Sequence, residues 1–265
     1  VSIAGLFIAG IIPGIVLGAG MMAIAWVIAK RRGYPVRPRT LTWRQLLPEM
    51  WDVFPALLMP VIILGGILGG IFTATEAAAV AVAYAVLVGL LVTKELKWRD
   101  IPPALVRSAV ATSVVFMLIA CSNGVSWLLT TQQVPNLVAQ FLRANAPSPW
   151  VFLLTVNIFL LIVGCLMDLS AAMIMLVPIL APIALTYGVD PLHFGFIVVL
   201  NLTIGLLTPP VGAILFVVCG ISRISLERLV RAVWPFLLWQ IAVLALVTYV
   251  PWFCVWLPRL LGYGF

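Results

Sequence analysis

The stretch Asn201-Leu-Thr-Ile-Gly-Leu-Leu-Thr-Pro-Pro-Val-Gly212 holds the residue types best suited to binding something at membrane depth. It lies in an apolar run from about Phe194 to Gly220, long enough to cross a bilayer. Pro209 and Pro210 lack backbone N–H groups, and their rings clash with the preceding turn. Thr208 is pushed out of the helical region by the proline that follows it. The spacing therefore predicts a helix break over Leu207–Val211. Lipid cannot satisfy the carbonyl and N–H groups that a break frees, so it persists only when buried in protein or lining a wet cavity. Freed carbonyls suit a cation, and a restarting helix N-terminus suits an anion. Thr208, Pro209, Pro210 and Gly212 are the candidate contacts. The alternative is a proline kink with no ligand.

A second interruption, Gly164-Cys-Leu-Met-Asp168-Leu-Ser170, divides the apolar stretch 151–186. Charged side chains at membrane depth are costly and usually functional. The Asp168 carboxylate can meet carbonyls freed by the break. Such oxygen donors suit a hard cation such as sodium. Gly164 permits close approach, Ser170 offers a hydroxyl, and Thr208 belongs to the same candidate set. The competing reading makes Asp168 a helix N-cap that needs no ion. Glu76, the other acid at membrane depth, follows Thr73 and Thr75. A first-turn acid at a capped helix start explains it equally well.

No other constellation points to catalysis. The single histidine, His193, is expected in a loop with no acid opposite it. Zinc-protease, nucleophile-elbow and Walker sequences are absent. Cys121, Cys165, Cys219 and Cys254 sit singly in apolar runs and read as small core residues. Nothing calls for a covalent cofactor.

The elements that must position these residues are membrane helices. Of the 265 residues, 64% are hydrophobic and only 9% charged. A soluble domain carries about a quarter charged residues. The mean hydropathy is +1.23. The net charge of +7 lacks the basic and aromatic interleaving of a nucleic-acid binder and is read by position instead. Val1 and the lack of a charged leader suggest part of a longer or processed polypeptide.

The first apolar segment, Ile3 to Ala29, is followed by Lys30, Arg31, Arg32, Arg37, Arg39 and Arg44, which mark a cytoplasmic loop. Leu41 to Asp52 reads as an amphipathic interfacial helix, the alternative being a solvated linker, so that residues 1–52 form a helix and an arm. Residues 53–130 are expected to cross out and back around a glycine turn, Gly65 to Gly70. After basic residues at Lys94–Arg107 they cross outward once more from Ser108. Residues 131–149 carry a single charge and belong outside. Residues 150–187 form either two crossings or a re-entrant hairpin, and the small residues at the tip favour the hairpin. Residues 193–221 are the broken helix. Residues 222–265 hold a basic loop, a last helix from Ala232 to Val250 with Trp234, Trp239 and Trp252 as interface anchors, and a short tail. The fold expected is an all-α polytopic membrane protein of about six crossing helices, a re-entrant helical hairpin and one broken helix.

Three separated motifs carry a family resemblance: Gly-Gly-Ile-Phe-Thr-Ala-Thr-Glu-Ala-Ala-Ala over 69–79, Ile-Gly-Leu-Leu-Thr-Pro-Pro-Val-Gly over 204–212, and Ser-Leu-Glu-Arg-Leu-Val-Arg-Ala-Val-Trp-Pro-Phe over 225–236. In this order they resemble the C-terminal part of the large membrane subunit, DctM type, of tripartite ATP-independent periplasmic (TRAP) transporters. The resemblance implies one half of an inverted-repeat, elevator-type secondary transporter of the bacterial inner membrane. It implies uptake coupled to sodium, and a small organic acid such as a dicarboxylate or sialic acid. It also implies three protein partners: a periplasmic substrate-binding protein, a small four-helix membrane subunit, and the N-terminal half of the same subunit. The hairpin tip and the Thr208 break map onto the family's second sodium and substrate region. Ala74 departs from the family, where proline often separates the two threonines. The rival functions are another ion-coupled carboxylate transporter, an ion channel built on re-entrant loops, and a scaffold subunit.

Overall fold

The computed structural model describes residues 2–34, 43–133, 140, 148–167, 169–209 and 212–263. The chain divides into two compact units, Arg32–Ser113 and Val1–Arg31 with Val114–Phe265.

In the first of these, α3 runs unbroken over Trp43–Leu68. The interfacial arm and the following membrane segment, expected as separate elements, are thus one helix. Its prolines are spaced singly, and a lone proline bends a membrane helix without ending it when neighbouring groups take up the freed carbonyl. Glycine ends the helix instead. Gly70 adopts φ +68°, and the amides of Ile71 and Phe72 both return to the Gly66 carbonyl, at 2.9 and 3.1 Å. α4, Ala74–Leu87, then starts at a reciprocal cap. The Glu76 amide donates to Thr73 Oγ1 at 3.3 Å, and the Thr73 amide donates to Glu76 Oε2 at 2.7 Å. This explains Glu76 without a ligand, and alanine at 74 leaves the cap intact. Thr73→Ala should cost about 1 kcal/mol, read as a lower thermal midpoint of the purified protein. A π-turn, Val88–Val92, closes α4. The last helix to begin in this unit, α5, spans Ile101–Thr131 and continues past its boundary at Ser113; it starts earlier than the expected Ser108, because Pro102 and Pro103 fall in its first turn, where no amide is needed.

In the other unit, Gly10 divides the first apolar run into α1, Ile3–Ala9, and α2, Ile11–Arg31. The hairpin consists of α6, Pro149–Leu166, and α7, Leu169–Thr186. α8, Pro191–Gly205, and α9, Ala213–Ser222, are the two parts of the broken helix. α10 covers Leu226–Tyr249, and the tail forms a short helix, α11, Trp252–Leu260. Among the described residues, six helices are long and apolar enough to cross a membrane, both hairpin arms included.

The core lies where α6, α8 and α10 meet. Phe152, Leu160, Ile197, Leu202, Leu237 and Val247 are fully buried there. The other faces present large apolar side chains such as Ile15, Met22, Trp26 and Ile162 outward, as lipid as solvent requires. Trp239 is not an interface anchor. It sits in mid-helix, and its indole lies so close over Gly20 of α2 that no Cβ would fit. Cys165 and Cys254 are buried as expected, but Cys121 is exposed. Most of the loop expected over 131–149 lies outside the described residues.

Candidate functional site

The helices α6 and α8 run parallel from a shared end. Near their starts Phe152 faces Phe194, with ring centroids 6.4 Å apart. Near their ends the two backbones touch. A Cβ on Gly205 would lie 2.7 Å from both the Cα and the carbonyl carbon of Gly164. The hairpin turn and the helix break therefore sit at one depth, about 22 Å from the shared end at 1.5 Å per residue.

Met167 ends α6 in an extended conformation, and α7 restarts at Leu169. Asp168, the residue between them, lies outside the described residues, as does Pro210. The break opens with tightened turns: the amides of Leu207 and Thr208 donate to the carbonyls of Ile204 and Gly205 at 3.0 and 2.9 Å. Thr208 turns its hydroxyl back onto the Ile204 carbonyl at 2.8 Å. Pro209 follows in a bend and is half-buried. Gly212 takes the left-handed conformation, φ +49°, with the Thr208 and Leu206 carbonyl oxygens 3.0 and 3.1 Å from where a Cβ would be. Only glycine fits both the dihedral and the space. Its amide donates to the Cys165 carbonyl in the hairpin at 3.1 Å, joining break to turn. Gly164, Thr208 and Gly212 are thus brought together, and Ser170 stands exposed in the first turn of α7. In α9, the Ile214 amide donates to the Leu206 carbonyl at 3.3 Å and the Leu215 amide to the Gly212 carbonyl at 2.8 Å.

One polar feature escaped the sequence reading. Asn157 of α6 donates to the Leu153 carbonyl at 2.9 Å and to Thr248 Oγ1 of α10 at 3.0 Å. Asn201 of α8 donates to the Asn157 carbonyl at 3.0 Å and to Asn157 Oδ1 at 2.6 Å. The Thr248 hydroxyl donates to the Leu244 carbonyl at 2.7 Å. All three side chains are buried, and Asn201 Oδ1 has no protein partner among the described residues. The network bolts α6, α8 and α10 together one turn before the break. Its signal was lone amides in otherwise apolar runs. His193 also departs from expectation. It is not in a loop but buried in the first turn of α8, with Nε2 2.8 Å from the Val247 carbonyl.

These features define a class: a multi-pass all-α membrane protein in which a helical hairpin meets a broken helix turn to break. Residues 1–253 match the family described as the tripartite ATP-independent periplasmic transporter, DctM component, and the chain belongs to that family. It is 41% identical over 261 residues to the C4-dicarboxylate TRAP transporter large permease protein DctM of Pseudomonas aeruginosa, covering 98% of this chain and 61% of that protein. It is 39% identical over 264 residues to the sialic acid TRAP transporter large permease protein SiaM of Vibrio cholerae, covering 99% and 62%. It is 35% identical over 253 residues to the 2,3-diketo-L-gulonate TRAP transporter large permease protein YiaN of Escherichia coli, covering 94% and 59%. The chain thus spans about three-fifths of the length of these relatives, which are named as permeases and not as enzymes.

Proposed function

We propose that this chain forms the C-terminal half of a sodium-coupled transporter subunit that takes up a small organic acid. The observation that carries this reading is the junction of hairpin turn and helix break, with Gly212 bonded to the Cys165 carbonyl. Such a junction brings backbone carbonyls and a helix start to one depth. In this reading the hairpin is re-entrant. The Asp168 carboxylate, the Gly164 region, Ser170 and Thr208 surround sodium, while Thr208, Pro209, Pro210 and Gly212 face the solute's carboxylate. The relatives' names favour dicarboxylates, sialic acids or sugar-derived acids. The partners are a periplasmic substrate-binding protein, a small four-helix membrane subunit and the N-terminal half of this subunit, and the motion is of elevator type.

Uptake into proteoliposomes containing the complete complex, with its binding protein and an inward sodium gradient, tests the function. Ohmic current without solute would favour a channel, and retained assembly without either would favour a scaffold. Asp168→Asn should leave folding and assembly intact and weaken the sodium dependence of uptake. An unchanged sodium response would remove Asp168 from the site.

The orientation that goes with this reading puts loops 30–52, 94–107 and 222–231 in the cytoplasm, and 131–149, 187–193 and the C-terminus outside. Single cysteines at positions 145 and 262 should react with an impermeant maleimide from the periplasm. Exposed Cys121 and half-buried Cys219 are replaced in that background, and Cys165 is buried. Cys254 stays silent, because burial pushes its thiol up to about 12. Labelling only from the cytoplasm at either position would overturn the orientation.

A further inference from the structure

At the end of the unit remote from the turn and break, α6 and α8 begin, α7 and α10 finish, and α11 lies alongside. Aromatic side chains gather there: Trp150 stands 5.7 Å from Tyr249, and Trp252 stands 5.4 Å from Trp256. Tryptophan and tyrosine at helix ends mark the level of lipid headgroups. In their midst is an ion pair. Asp190 Oδ1 caps α8 through the amides of Leu192 and His193, and Asp190 Oδ2 accepts from Arg259 of α11 at 3.1 Å. The pair lines a cavity of about 540 Å³ whose other walls include Pro251, Trp252, Val255 and Trp256.

We propose that this cavity holds the headgroup of phosphatidylethanolamine, with the phosphate on Arg259 and the ammonium between Asp190 and the Trp252–Trp256 pair. Three observations select this occupant. The Asp190 side chain is 17% exposed and its position is fixed by three hydrogen bonds, whereas the Arg259 side chain is 58% exposed, so its fork has donors to offer beyond Asp190. A guanidinium fork matches phosphate geometry. The two charges are of opposite sign and adjacent. A zwitterion laid head to tail satisfies both, whereas a purely anionic headgroup brings its charge up against Asp190. Two tilted indoles line the cavity, and indole rings attract ammonium groups. Acyl chains then continue along apolar surface already exposed beside the cavity at Leu260 and Leu261. The pairing of Asp190 with Arg259 also ties the tail to the start of α8, so a bound headgroup braces the helix that carries the break. This proposal does not depend on the solute or on sodium.

The full-length subunit in its complex, delipidated in detergent, would be titrated with phosphatidylethanolamine or phosphatidylglycerol and read by native mass spectrometry. Phosphatidylethanolamine should bind at least about fivefold tighter than phosphatidylglycerol, which has the phosphate but no ammonium. Arg259→Gln should weaken phosphatidylethanolamine about tenfold, Arg259→Lys less, and Trp256→Leu about fivefold. Each variant is first shown to keep the wild-type thermal midpoint and assembly, and Trp256→Leu serves should Arg259→Gln not fold. Equal binding of the two lipids, or unchanged binding by a folded Arg259→Gln protein, would overturn the proposal and leave the cavity to a protein partner.

Discussion

Gly205→Ala in the complete subunit is expected to cut uptake at limiting sodium by about tenfold or more while the protein still reaches the membrane. The added Cβ would lie 2.7 Å from the Gly164 Cα and carbonyl carbon and 3.1 Å from the Cys165 amide nitrogen. These are backbone atoms, so no side chain can swing aside. The ends of α6 and α8 must part. Overpacking of this kind costs about 1–3 kcal/mol. Each 1.4 kcal/mol transferred to the site is a factor of about ten in an equilibrium constant. Parting the helices also stretches the bond from Gly212 to the Cys165 carbonyl, the link between break and turn. Gly164→Ala is the milder control, since its Cβ would meet Gly205 and Leu202 at 3.2 to 3.3 Å. Sodium-dependent uptake and thermal midpoint should be measured together. Wild-type uptake by Gly205→Ala would show that the closeness of the two helices has no bearing on the site.

Asn157→Leu should be the most destabilising polar-to-apolar change in the helical core, at about 2 kcal/mol. Interhelical hydrogen bonds in membranes average about 0.6 kcal/mol and reach about 1.7. Here the change removes two of them, to Thr248 and from Asn201, and leaves the Asn201 amide with only the Asn157 backbone carbonyl. A buried polar group stripped of its partner adds its desolvation penalty. The Asn157→Leu/Asn201→Leu double variant should therefore cost less than the sum of the two single changes. Strict additivity in thermal or denaturant unfolding would sink the idea of a coupled network.

Local chemistry was the legible part of this fold. The Thr-Pro-Pro sequence marked the broken helix, and the break is wider than expected only because Gly205 ends α8 early and Gly212 delays α9. The Thr73–Glu76 cap could be read from spacing alone. Features that depend on partners distant in sequence were not legible. Gly164 is marked by the interruption it precedes, but Gly205 is an ordinary helical glycine until α6 and α8 are laid side by side. Asn157, Asn201 and Thr248 are isolated polar residues until three helices converge. The continuity of α3 is hidden because composition changes after Glu49 and Asp52 from amphipathic to apolar, whereas a helix can pass from interface to membrane without a break and ends only at the glycines after Gly65. Trp239 was assigned to an interface by residue type, but what places it is the bare backbone of Gly20.

The contacts among α6, α8 and α10 have a mechanical consequence. The amide–hydroxyl bonds fix the relative height of the three helices, and the glycine contact fixes the spacing of the first two. Sliding one helix past another by a turn, about 5.4 Å, would rupture every one of these bonds and drive side chains into the glycine seam. The three helices are thus locked in register as one block, and in the elevator motion proposed above they would move together rather than slide past one another.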